Sequence, residues 1–451
     1  MDLLDTLLGS EEVNSIFSDR SRLQGMLDFE AALAAAEGRV GVIPESAVAP
    51  ITAKCGVDLF DLSALAKASV QAGNLAIPMV KQLTALVGKD DAQAMRYVHW
   101  GATSQDAIDT GLILQLRAAL AVIRADLGRL CDVLENLACS HRSTPVAART
   151  WLQHAVPTTF GLKAAGALDA LTRHRARLRE TKRRVLVLQF GGAAGTLAAL
   201  GTRGLDVAKA LSEELRLELP TLPWHAHRDR VAEVATTLAL LTGTLGKIAR
   251  DLSLQMQTEV GEVFEPSFEG RGGSSTMPHK RNPVTSAVVL AAANRVPALA
   301  SIMLSAMSQE HERGLGGWQA EWQTLPEIVR LCAGALHHLA NTMAELEVDP
   351  KRMRANLELT KGLIFTEAVA SALAKHTGNA AAHKVLESAS RRTMEEDRHL
   401  RDVLAAEPEV TRYLGSAELD QLFDPLRYTG VAGPFIDRAV AASRQDSEKD
   451  D

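Results

Sequence analysis

Residues 270–283 read Gly-Arg-Gly-Gly-Ser-Ser-Thr-Met-Pro-His-Lys-Arg-Asn-Pro and bring together a Gly-rich segment, adjacent hydroxyls, a cation and a helix start. That combination suits proton abstraction beside a carboxylate. The glycines allow backbone conformations closed to other residues, so the segment is expected to close as a lid over a ligand and exclude water. Asn282-Pro283 reads as an N-cap followed by the first helical residue, opening the apolar run 284–296. The positive end of that helix and its free N–H groups would then face the loop, with the charge of Lys280 beside them.

Other polar residues leave two readings open. Thr103 and Ser104 lie in Gly101-Ala-Thr-Ser-Gln-Asp106 ahead of an apolar periodic stretch. Their hydroxyls and N–H groups suit a carboxylate ligand, and equally suit capping of the helix that follows. His154, in an apolar context, reads either as a core histidine or as a site group. His225-Ala-His227 hints at a metal pair, but no carboxylate or cysteine completes a ligand set at a familiar spacing, so no metal is expected. Gly191-Gly-Ala-Ala-Gly195 lacks the βαβ context of a dinucleotide loop and reads as a tight connection between helices.

The elements that must position these residues are helical. Ile108, Leu112, Leu116, Leu120, Ile123, Leu127, Leu130, Leu134 and Leu137 recur at spacings of three and four, with Asp106 and Asp109 as candidate caps. A second such helix runs from about Val231 to Met256 behind Asp229, and residues 157–188, 284–310 and 320–347 give three more, with an interruption or kink at Pro297. Helices of this length belong to bundles, and their wide apolar faces ask for partners beyond one chain. The fold class is therefore all-α, with boundaries near 105 and 349: an N-terminal helical domain over 1–105, a long-helix bundle over 106–349 and a C-terminal helical domain over 350–451.

Bulk properties set bounds. A chain of 451 residues is long enough for two or three domains, and its net charge of −6 disfavours a nucleic-acid partner. No run is read as long enough to cross a bilayer, and the N-terminus lacks a basic leader, so no membrane partner and a cytoplasmic location are expected. Cys55, Cys131, Cys139 and Cys332 sit on apolar patterns and read as reduced core residues.

The stretch Gly273–Pro283 resembles the signature of the fumarase/aspartase superfamily, which includes adenylosuccinate and argininosuccinate lyases. The likeness extends to residues 18–33, to Gly101–Asp106, to Arg149–Gly161 and, in the adenylosuccinate-lyase branch, to Asn356–Ile364 and Gly378–His383. It implies Ser274 as the catalytic base, Lys280 and Asn282 as carboxylate ligands, and His154 in the active site. It implies substrate contacts at Thr103, Ser104, Thr150, Trp151 and Ser275. It further implies a homotetramer around a twenty-helix core, each active site drawing on three subunits, with no cofactor.

Two departures from the family pattern narrow the chemistry. Many of the lyases carry a histidine where this chain has Trp151, paired with a glutamate where it has Ala287. Together they supply the acid that protonates a poor leaving group, an effect worth about 10²–10⁴-fold. A carboxylate, whose conjugate acid has a pKa of about 4, leaves without such help. The resemblance thus implies an intramolecular lyase: a substrate carboxylate adds to a conjugated double bond of a tricarboxylate of the carboxymuconate type, closing a lactone through an enediolate, in the breakdown of aromatic compounds. Adenylosuccinate or argininosuccinate cleavage with release of fumarate is the alternative, and a catalytically inactive crystallin-like protein is an alternative of another class.

Overall fold

The computed structural model describes residues 3–267, 272, 277 and 279–449. It is all-α, with two small two-stranded antiparallel sheets among the described residues. The five periodic stretches form the long helices Ser104–Ser140, Phe160–Val185, Asp229–Gln255, Val284–Ser305 and Gly317–Ala344. Residues 157–159, expected to be helical, instead end a β-strand, and Val284–Ser305 runs through Pro297 as one helix and stops short of residue 310.

The start of the first long helix explains a misassigned cap. Helix begins at Ser104, so Asp106 and Asp109 lie inside its first turns and both are buried. Asp106 Oδ2 accepts the Thr103 N–H at 3.0 Å, a reach-back bond from the third helical position. Asp109 has a different task. It accepts two bonds from Arg228, at 2.7 and 3.1 Å, and one from Trp318 Nε1 at 3.0 Å, while Arg228 also binds Glu321. All three charged side chains are buried, and breaking such a group by removing one partner costs about 3–5 kcal/mol.

The chain forms two compact units, each discontinuous in sequence. The first comprises Met1–Asp126, His174–Gly246 and Val288–His338. Its buried residues include Phe29, Leu33, Ile113, Leu116, Ile123, Val234, Leu238 and Ile328. The second comprises Leu127–Arg173, Lys247–Ala287 and Leu339–Asp451. Its core gathers Val369, Leu373, Leu386, Leu400, Val403, Leu404, Val410, Leu414 and Leu419 from short C-terminal helices, and each such side chain contributes about 1.5–3 kcal/mol by leaving water. A smaller cluster of Ala147, Leu357, Ile364 and Phe365 anchors the strand Pro145–Thr150 to those helices.

Two expectations from the apolar patterns are corrected. Asp229–Gln255 and Val284–Ser305 are, by length and composition, apolar enough to cross a membrane. The former is mostly buried within the chain; the latter is largely exposed and carries Arg295 midway, paired with Glu327. Cys139 is exposed, because it falls in the last turn of Ser104–Ser140, whereas the other three cysteines are buried.

Candidate active site

In the first unit, a buried carboxylate organises the loop that carries Thr103. Asp106 accepts bonds from the backbone N–H of Thr103, Gly191 and Gly192 at 2.9–3.1 Å, from Gln189 Nε2 at 3.2 Å and from His225 Nε2 at 2.7 Å. The Gly191–Gly195 segment is thus a connection whose amides hold a side chain of the chain itself. Gly192, at φ +67°, also brings its Cα so near the Gly101 carbonyl that a Cβ would sit 2.8 Å from that oxygen. Thr103 and Ser104 are half-buried, and the Arg313 guanidinium donates to Thr103 Oγ1 at 3.2 Å and to the Ala193 carbonyl at 3.2 Å.

In the second unit, Thr150, Trp151 and His154 belong to a β-hairpin of strands Pro145–Thr150 and Gln153–Thr159. Its tip is Trp151-Leu152, both left-handed at φ +52° and +64°. Positive φ at both central residues is the conformation of a tight hairpin turn, normally filled by Asn or Gly. Trp151 is 97% exposed and Leu152 73% exposed in the lone chain. Arg149, beside the tip, makes a fork of bonds to Glu262, at 2.7 and 2.9 Å, and Asn356 Nδ2 reaches the same carboxylate at 2.8 Å. His154 is half-buried, and burial, then the charge of Arg149, hold its imidazole below its ordinary pKa against an opposing pull from Glu262.

Ser274 and Ser275 lie outside the described residues. The described residues on either side of them are tied down. Arg281 binds Glu347 through both terminal nitrogens at 2.7 and 2.8 Å, donates to the Glu265 carbonyl and lies 4.6 Å over the Phe264 ring. Asn282 does not cap the helix: its Nδ2 and its N–H both donate to the Gly272 carbonyl, at 3.1 and 3.0 Å. The cap comes from Glu265, whose buried carboxylate takes the N–H of Thr285 at 2.9 Å and of Ser286 at 2.8 Å, together with Ser286 Oγ. Those amides are therefore engaged, and helix begins at Val284, one residue later than expected. Lys280 is exposed.

Of the expected site residues, Thr103 and Ser104 lie in the first unit, and Thr150, Trp151, His154, Lys280 and Asn282 in the second. Sequence reasoning overlooked Asp106 as an organiser, Arg313, Glu262 and Glu265. A usable signal was the pair of carboxylates three residues apart, Glu262 and Glu265, just ahead of the glycine-rich stretch.

A family model described as lyase matches residues 9–298, and one described as adenylosuccinate lyase C-terminus matches residues 362–439. The chain is 58% identical over 439 residues to a 3-carboxy-cis,cis-muconate cycloisomerase of Pseudomonas aeruginosa, covering 97% of this chain and 96% of that one. It is 54% identical over 444 residues to an enzyme of the same name from Bradyrhizobium diazoefficiens, covering 98% of each. Among solved structures, the 3-carboxy-cis,cis-muconate lactonizing enzyme of Pseudomonas putida superposes with a TM-score of 0.95 at 54% identity, over 99% of both chains.

Proposed function

The chain belongs to the lyase family of the fumarase/aspartase superfamily, and from that premise we propose that it cyclises 3-carboxy-cis,cis-muconate to 4-carboxymuconolactone in the breakdown of protocatechuate. The observation that carries this reading is the high identity, over nearly the whole length, to relatives bearing that activity in their names. Trp151 and Ala287 agree with it, since closure and reopening of a lactone exchange a carboxylate and need no acid for the leaving group.

In this mechanism an oxygen of one substrate carboxylate bonds to the diene carbon that lies β to another carboxylate, closing the five-membered ring. The electron pair moves onto the neighbouring carboxylate as an enediolate. Ser274 then delivers a proton to the adjacent carbon and recovers one from solvent. Lys280 supplies positive charge to the enediolate, a kind of stabilisation that is strong in a water-excluded site. Thr103, Ser104, Thr150, Ser275, Asn282 and His154 offer hydrogen bonds to the carboxylates, and Trp151 supplies an apolar wall. No oxidation state changes, so the chemistry needs no redox cofactor.

The exposed apolar helix Val284–Ser305 and the hairpin tip support assembly into a homotetramer whose sites are shared between subunits. A cytoplasmic location and the division at residues 105 and 349 complete this reading. Incubation with 3-carboxymuconate should abolish the diene absorbance without releasing fumarate from argininosuccinate or adenylosuccinate, and the converse result would defeat the assignment. Ser274→Ala should lose at least about 10²–10⁴-fold in turnover while still binding substrate. Mixed refolding of Ser274→Ala with His154→Ala chains should restore activity; a fully active monomer by light scattering would exclude shared sites.

A further inference from the structure

Arg149 and His154 face one another through an irregularity in the hairpin. The pairs Pro145–Thr159, Val146–Thr158 and Ala147–Pro157 keep one register, and continuing it would set Arg149 opposite Ala155. The register shifts between Ala147 and Arg149, and Arg149 pairs with His154 instead. Such a bulge re-aims side chains, and directly opposed residues carry theirs on the same face of the ladder. Behind Arg149 stands Glu262, fully buried, receiving both ends of the guanidinium and the Asn356 amide. Asn356 is itself buried and also donates to the Val260 carbonyl at 2.8 Å. His154 Nδ1 is buried and has no hydrogen-bond partner among the described residues, an arrangement native proteins seldom keep without a functional reason.

We propose that Glu262, backed by Asn356, is a positioning residue: it holds Arg149 opposite His154, so that the imidazole meets the anionic substrate as an uncharged hydrogen-bonding group. This rests on the reading of His154 as a substrate-binding residue. Burial and the Arg149 charge both disfavour a proton on the imidazole, and Glu262 alone would favour one. From the helix Phe160–Val185, Lys163 is held below its ordinary pKa, by burial first and then by Arg149, against Asp251 and Glu262 and with help from Lys247. The short turns packed on the strand, Leu363–Phe365 and Pro425–Tyr428, bring Arg427, which pairs with Asp424, and Tyr428, which donates to Glu367. The pair Arg149–Glu262 is therefore the charge balance that His154 senses.

The test uses the full-length protein with 13C-labelled imidazoles, the His154 signal being identified by its loss in His154→Gln. Arg149→Met leaves the Glu262 carboxylate facing His154, and the imidazole should then titrate at least about one pH unit higher than in the wild type. The same variant should acquire an inflection in kcat/KM across that range. The double variant Arg149→Met/Glu262→Gln removes both charges and should lose the upward shift and the inflection. If the single variant fails to fold, Arg149→Lys serves in its place: it keeps the charge without the fork, and it should leave the titration low while raising KM. An unmoved His154 signal in Arg149→Met, or a raised one in Arg149→Lys, would overturn the positioning role. Wild-type turnover in His154→Gln would instead overturn the reading on which it rests, whatever the titrations give.

Discussion

The two helix starts at Ser104 and Val284 look alike in sequence, each a hydroxyl- or amide-bearing residue after a glycine-containing loop, yet their carboxylates are spent differently. At Val284, Glu265 binds the helix amides themselves, at Thr285 and Ser286, and so offsets the positive end of the helix. At Ser104, Asp106 is used to fasten the loop, through the amides of Thr103, Gly191 and Gly192, and a guanidinium, Arg313, lies against the Thr103 hydroxyl. At Val284 the carboxylate covers the helix amides; at Ser104 the Asp106 carboxylate, although in the first turn, is turned to the loop amides, and a guanidinium lies on the Thr103 hydroxyl. A helix N-terminus offers its amides to an outside anion only where the chain's own carboxylate does not take them.

The largest effect should come from taking away the fastener. Asp106→Ala strands the buried His225 and several amides, and we expect a loss of about 3–5 kcal/mol in denaturant unfolding. A loss under about 1 kcal/mol would mean that the loop holds itself.

Glu37 sharpens the contrast as a carboxylate with nothing to fasten. It is fully buried, and neither oxygen has a hydrogen-bond partner among the described residues. Burial, reinforced by the Glu30 charge, pushes it up to about 9. Because this folded-state value lies above the unfolded one, the contribution to stability is whole below about pH 4.5 and is lost as pH rises towards 9. Glu37→Gln should remove that slope and be more stable than wild type by about 2–4 kcal/mol at pH 8. Parallel pH–stability curves for the two proteins would contradict the assignment.

Glu265→Ala should cost about 1–2 kcal/mol, the range of a lost helix cap, read by the shift in unfolding midpoint. The smallest change in stability, under about 1 kcal/mol, is expected for Arg313→Met, which is partly exposed. Its KM for a tricarboxylate substrate should nevertheless rise about tenfold, equivalent to about 1.4 kcal/mol. An unchanged KM would show that this guanidinium serves only the loop.

The long helices were legible because leucines at spacings of three and four report burial directly, as from Ile108 to Leu137. The hairpin was not, because its turn is Trp-Leu, which carries none of the usual Asn or Gly signals, and prolines stand in both its strands. Asn282 misled for a related reason. A local rule favours it as a cap, but Glu265, distant in sequence, wins the helix amides through tertiary folding, and Asn282 turns to Gly272. Trp151 was legible in its type and not in its place, since a core position at a helix start and an exposed tip look the same in a string of letters.

The placement of Trp151 gives the protein an optical handle. Trp224 and Trp318 are buried within the chain, whereas the indole at the hairpin tip is in water when the chain is alone. A hydrated indole emits to the red of a buried one, so association that covers the tip should shift the fluorescence to shorter wavelength. Dilution should reverse the shift, and Trp151→Phe should reduce it to whatever the 41% exposed Trp100 contributes, while leaving the emission of the core indoles in place.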